Sequence, residues 1–111
     1  MSDTYNTSNT IAAIATGNVV SAIGIIRISG SDAIKIISSV FFPISGKNLS
    51  ESPDRSLVLG VLKNTRGEAL DHCLCTVSHA PNSYTGEDTA ELQCHGSPTV
   101  LRLALEALFE C

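Results

Sequence analysis

"SLVLGVLKNTRGEALDHCLCTVSH", Ser56 to His79, is the stretch that decides the fold. Two runs rich in Val, Leu and other apolar residues, 56–64 and 69–79, flank Thr65-Arg66-Gly67-Glu68. Gly67 supplies the positive φ that a tight connection between antiparallel strands demands, so the spacing predicts a β-hairpin. Downstream, after turn formers at Pro81 to Gly86, "DTAELQCH" (88–95) sets Ala90, Leu92 and Cys94 in alternation with Glu91, Gln93 and His95. That period of two predicts a half-buried strand. Gly96-Ser97-Pro98 then opens a helix, with Ser97 as N-cap and Pro98 at the tolerated first position. Its apolar residues Val100, Leu101, Leu103, Ala104, Leu105, Leu108 and Phe109 cover more than one stripe, which predicts burial on two sides. No Gly or Asn C-cap follows Phe109, and the expectation is that the helix belongs to a longer chain.

Upstream of the hairpin, "TIAAIAT" (10–16) and "AIGIIRIS" (22–29) read as two short strands with Gly17-Asn18 as the turn signal between them. Gly30 ends the second, and Ser29 or Ser31 can cap a helix in which Ala33, Ile36, Ile37, Val40 and Phe41 share one face, up to Pro43. About three turns are predicted there. Residues 43–55 read as a surface loop, and the polar residues 1–9 as a disordered tail ahead of one domain over 10–111.

Composition bounds the partners. The 111 residues are 43% hydrophobic and carry eleven acids against seven bases, a net charge of −4 with the charges scattered. No face offers the Lys and Arg density that gripping a nucleic acid alone requires. The N-terminus lacks a signal-peptide pattern and no apolar run reaches the roughly 20 residues that span a bilayer, so a cytoplasmic protein without membrane contact is expected. In that compartment Cys73, Cys75, Cys94 and Cys111 stay reduced.

Several constellations invite a chemical reading. Gly46-Lys47 lacks the remaining Gly and the Ser or Thr of a phosphate loop, since Phe41 and Asn48 occupy those places. His72, Cys73, Cys75, His79, Cys94 and His95 are zinc-compatible types, but C-x-C on a strand is not a metal knuckle, and buried thiols acting as small hydrophobes are the ordinary reading. No metal is expected. Cys94 and His95 are adjacent on a strand, hence on opposite faces, and cannot form a nucleophile–base pair. Glu87 or Asp88 with Glu91 can be drawn as a carboxylate pair, against which solvated acids are the plainer account.

Arg27 carries more information, because "GIIRISG" puts a permanent cation among Ile and Gly. Its donors need a carboxylate, a carbonyl or an anionic ligand. One reading is an internal ion pair with Glu91 or Asp88. The other is that Arg27 and Glu91 flank a cleft and divide an amphoteric ligand between them, guanidinium to a carbonyl or anion and carboxylate to an amine-rich ring edge.

The strings "IAAIAT", "GIIRISG" and above all "PNSYTGEDTAELQCHGSP" (81–98) resemble the N-terminal domain of the tRNA-modifying GTPases of the MnmE/TrmE type, from about Thr10 to the last residue. The resemblance implies an α+β fold, about five strands in a mixed sheet against two or three helices, similar to the folate-binding domain of glycine-cleavage T-proteins. It implies a domain that binds 5-formyl- or methylene-tetrahydrofolate and mediates homodimerisation, and that is not catalytic alone. GTP, Mg and K belong in that family to a GTPase domain outside this chain. The family works with an MnmG/GidA-type flavoprotein on the wobble uridine of tRNA.

By motif match the folate contacts fall on Arg27 and Glu91. Gly86 gives the sharp entry into the following strand, and Tyr84 covers the ligand's ring or packs. One departure stands out. Where the family has a Pro- and Gly-rich loop, this chain has "TGNVVSAIG" (16–24), whose Val19, Val20, Ser21 and Ala22 narrow a site approached backbone-first. Two other readings remain: a folate-dependent aminomethyltransferase-like domain, and an architectural module with Arg27–Glu91 as an internal ion pair.

Overall fold

The structure, a computed structural model, describes residues 4–7, 10–14, 23–81, 83 and 86–110. Among them, seven strands form one sheet in the order β1-β2-β3-β7-β6-β5-β4, every neighbouring pair antiparallel. The strands are β1 (Thr4–Thr7), β2 (Thr10–Ile14), β3 (Ile23–Ser29), β4 (Phe41–Pro43), β5 (Val58–Lys63), β6 (Ala69–Ser78) and β7 (Thr89–His95). Helices α1 (Ala33–Ser38) and α2 (Pro98–Phe109) complete the α+β architecture. The β5–β6 hairpin forms as its turn chemistry predicts, with Gly67 at φ +83°. Strand β7 and helix α2 also lie where the patterns put them, although Ser97 makes no side-chain cap hydrogen bond.

Strand alternation divides the sheet into two faces. Ile26 and Ile28 of β3, Cys73, Cys75 and Val77 of β6, Leu62 of β5, and Ala90, Leu92 and Cys94 of β7 are all buried on one of them. Residues of α2, Leu101, Ala104, Leu105 and Leu108, and of α1, Ala33, Ile34 and Ile37, complete that core. Gly24 marks how closely α2 approaches: a Cβ built there lies 2.6 Å from both methyl carbons of Leu101. At about 25 cal/mol per Å2 of apolar surface removed from water, this one-sided burial is the main source of stability. The opposite face has no helix packed on it among the described residues, and along its centre Ile25, Arg27, Leu74, Thr76, Glu91 and Gln93 are intermediate or exposed.

Four expectations are corrected. The sheet is wholly antiparallel and seven-stranded, not mixed and five-stranded. Residues 4–7, expected in a disordered tail, form β1 and pair with β2 from Thr4↔Ala13 to Thr7↔Thr10; Thr and Tyr suit a strand even where polarity hides the pattern. Helix α1 stops at Ser38, short of the expected three turns, because Phe41–Pro43 is drawn into β4 against β5, with Phe41 buried opposite Leu62. Pro43, lacking an N–H, is tolerated on that edge strand. Within the 43–55 loop a 3-10 turn, Leu49–Glu51, inserts Leu49 into the core and is capped by the Asn48 side chain accepting from the Ser50 N–H.

Candidate functional site

Arg27 and Glu91 meet because the β3–β7 register sets them directly opposite one another. Opposed side chains on one face start about 5 Å apart at Cβ, well within reach of a guanidinium and a carboxylate. Arg27 donates from Nε to Glu91 Oε2 at 2.7 Å, and its Nη2 lies 2.7 Å from the same oxygen. The register extends this row to Ala13 on β2 and Thr76 on β6. The row lies on the uncovered face, with the Arg27 and Glu91 side chains 52% and 29% exposed. Instead of flanking a hollow, as one reading of the sequence had it, the two groups touch. They are also not buried in a packed interior. Exposed pairs of this kind contribute about 0–1 kcal/mol, so the fold does not depend on it.

Both donors converge on one carboxylate oxygen. Glu91 Oε1 and Arg27 Nη1 have no partner among the described residues. One acceptor and one donor of the couple thus remain on an open surface, where a ligand bearing N–H and C=O groups can meet them. On the same face, Ile25, Gln93, Leu74 and Leu59 form the next row by register. Ile23, Phe42 and Leu59 are exposed hydrophobics of this face.

The other sequence-selected residues lie apart from the pair. Gly86 has φ +81° and lines a cavity of about 540 Å3 with Ser31, Ala80, Glu87 and Asp88. Asp88 closes that loop by accepting from the Ala80 N–H at 2.7 Å. Tyr84 and residues 15–22 of the departing loop lie outside the described residues. Of the acids drawn as a carboxylate pair, Glu91 is engaged by Arg27 and Asp88 by the Ala80 N–H. Gly46 and Lys47 belong to a loop in which the Lys47 N–H meets Ser45 Oγ.

The thiols of Cys73, Cys75 and Cys94 are core groups. Cys94 is pushed upward by a hydrogen bond with Cys73 and by burial, and Cys75 is pushed upward by burial, so neither is a thiolate at neutral pH. Among the described residues no group of three or more His, Cys, Asp or Glu is arranged to hold a metal ion.

Two carboxylate–imidazole couples escaped the sequence reading. Asp71, only 9% exposed, accepts from the His95 N–H at 2.9 Å and lies 2.6 Å from His95 Nδ1. Asp54 lies 2.7 Å from His79 Nδ1 and accepts from the His79 N–H at 2.9 Å. The partners are 24 and 25 residues apart, and only the strand register or the loop path could have joined them.

Comparisons with known proteins fit this architecture. A family model described as "GTP-binding protein TrmE N-terminus" matches residues 10–111. The tRNA modification GTPase MnmE of Symbiobacterium thermophilum is 43% identical over 97 residues, 87% of this chain and 21% of that protein. The proteins of the same name from Moorella thermoacetica and Bacteroides thetaiotaomicron are each 44% identical, over 102 and 103 residues, 87% and 92% of this chain and 22% of each relative. The chain therefore spans about a fifth of the length of these curated relatives. No helix among the described residues is long and apolar enough to cross a membrane. A match over nearly the whole chain, on a sheet that sets the "GIIRISG" and "TAELQCHG" segments side by side, means that this chain belongs to the TrmE N-terminal domain family.

Proposed function

We propose that this domain binds a reduced folate, 5-formyl- or methylene-tetrahydrofolate, on the uncovered face of its sheet and serves tRNA modification as the binding and dimerisation module of a longer GTPase. The observation that carries the reading is the Arg27–Glu91 couple. It is solvent-facing, contributes little to the fold, and leaves one acceptor and one donor without a partner among the described residues. A reduced pterin presents an aminopyrimidinone edge whose N–H groups suit Glu91 Oε1 and whose carbonyl suits Arg27 Nη1. The residues present thus fit the pterin's polar edge. A guanidinium also attracts the carboxylates of a folate tail.

The exposed apolar residues of the same face, Ile23, Phe42 and Leu59, support its use as a contact between two copies, which would enclose an otherwise open binding surface. In this reading the bound folate supplies a one-carbon unit, and the domain's own residues orient it and exclude water. GTP with its Mg and K, the MnmG/GidA-type flavoprotein and the tRNA engage other parts of the longer protein. The names of the relatives, tRNA modification GTPases, support that assignment.

Isothermal titration of 5-formyl-tetrahydrofolate into the wild-type chain, Arg27→Ala and Glu91→Gln tests the reading. The expected result is saturable binding to wild type, at least tenfold weaker binding to both variants, and melting temperatures within a few degrees of wild type. Absence of binding to a folded wild-type chain, or equal binding by all three, would overturn it.

A further inference from the structure

The geometry points to His79 as a proton-controlled strut: as an imidazolium it ties the 3-10 turn at Ser50 and the carboxylate of Asp54 to the end of β6, and loss of its proton releases the turn. His79 Nδ1 lies 2.7 Å from Asp54 Oδ1, and Nε2 lies 2.9 Å from the Ser50 carbonyl oxygen. Both partners are acceptors, so both ring nitrogens must carry a proton for both bonds to exist. A neutral ring keeps one proton. That proton stays on Nδ1, where the acceptor is charged, and the Nε2 lone pair then faces the Ser50 oxygen without a hydrogen between them. The bond to the turn is therefore the one that titrates.

What the strut holds is the wall of a groove. A cavity of about 860 Å3 lies between the β4 end and the start of β5, with Ile44, Leu57 and Leu59 among its apolar lining. Glu51, Ser52 and Pro53 line it as well, and Ser50 and Asp54 are the residues at either end of that segment. One imidazolium thus fastens both ends of the wall. Arg55, next along the chain, is held at φ +63°, a conformation uncommon for a residue with a side chain, and its N–H donates to the Val77 carbonyl at 2.9 Å.

The charges around the ring favour the cation. Asp54 faces it from the loop and Asp88 from the approach to β7, while Arg55 acts on Asp54. The hydrogen bonds to Asp54 and to the Ser50 carbonyl raise the proton affinity of His79 above the usual imidazole range, and Asp54 is lowered in turn. With a folded-state pKa raised above the unfolded value of about 6.5, the strut's stabilisation is complete below that pH and is lost as pH rises through the folded midpoint. The strut is independent of folate binding at Arg27 and Glu91.

NMR of the whole chain tests it. Across pH 5 to 9 the His79 ring should titrate above about 6.5 with both nitrogens protonated at its lower limb, and the Glu51 and Ser52 amide shifts should follow the same midpoint. Asp54→Asn should move the midpoint down. A wild-type midpoint at or below that of a free histidine overturns the proposal, and so do Glu51 and Ser52 amides that stay unchanged through the His79 titration. Both readouts come from the wild type, so an unfolded Asp54→Asn would not affect the outcome.

Discussion

The two faces of this sheet are built from the same strands yet obey different rules. On the covered face, Ile26, Leu92 and Cys75 are fully buried, and their chemistry is confined to filling space beneath α2 and α1. On the uncovered face, the alternate residues Ile25, Arg27, Glu91 and Gln93 share those backbones with no helix above them among the described residues. A strand therefore divides its labour with a period of two: one set of side chains makes the fold, and the set between them is free to carry recognition. The Arg27–Glu91 couple belongs to the second set, which is why a charged pair occurs in strands that otherwise read as core.

Substitutions on the two faces should separate these roles. Leu92→Ala, at the centre of the covered face, should cost about 2–5 kcal/mol in denaturant unfolding, the transfer term plus the cavity it leaves. A cost below about 1 kcal/mol would mean that this face is not the principal core. The contrast is Leu59→Asp on the uncovered face, where the side chain is 53% exposed. Stability should change by no more than about 0.5 kcal/mol. If the proposed contact between two copies uses this face, sedimentation velocity should give a dimer for wild type and a monomer for Leu59→Asp; a Leu59→Asp chain that unfolds, or that sediments like wild type, would erase the distinction between the faces.

Much of the covered face was legible in the sequence. The hairpin through Gly67, the alternation of β7 and the Ser97-Pro98 helix start are local signals, each written within a dozen residues. Strands β1 and β4 were not legible, because they lie at the sheet's edges, and short edge strands carry little of the periodicity that burial imposes. Phe41 continues a helical spacing, and only pairing with Leu62 turns it into a strand. The candidate site was half legible. Arg27 and Glu91 could be chosen by type and motif, but their direct contact depends on a register between segments 64 residues apart. The same non-locality hid Asp54 from His79 and Asp71 from His95.

Mapping amide shifts in a titration with 5-formyl-tetrahydrofolate tests the central claim, that the uncovered face is the functional one, most directly. The largest changes should cluster on β3 and β7 around Arg27 and Glu91 and reach Ala13 and Thr76 across the register row, with the 43–59 groove unmoved. Changes confined to that groove, or to the cavity at Gly86 and Asp88, would contradict it.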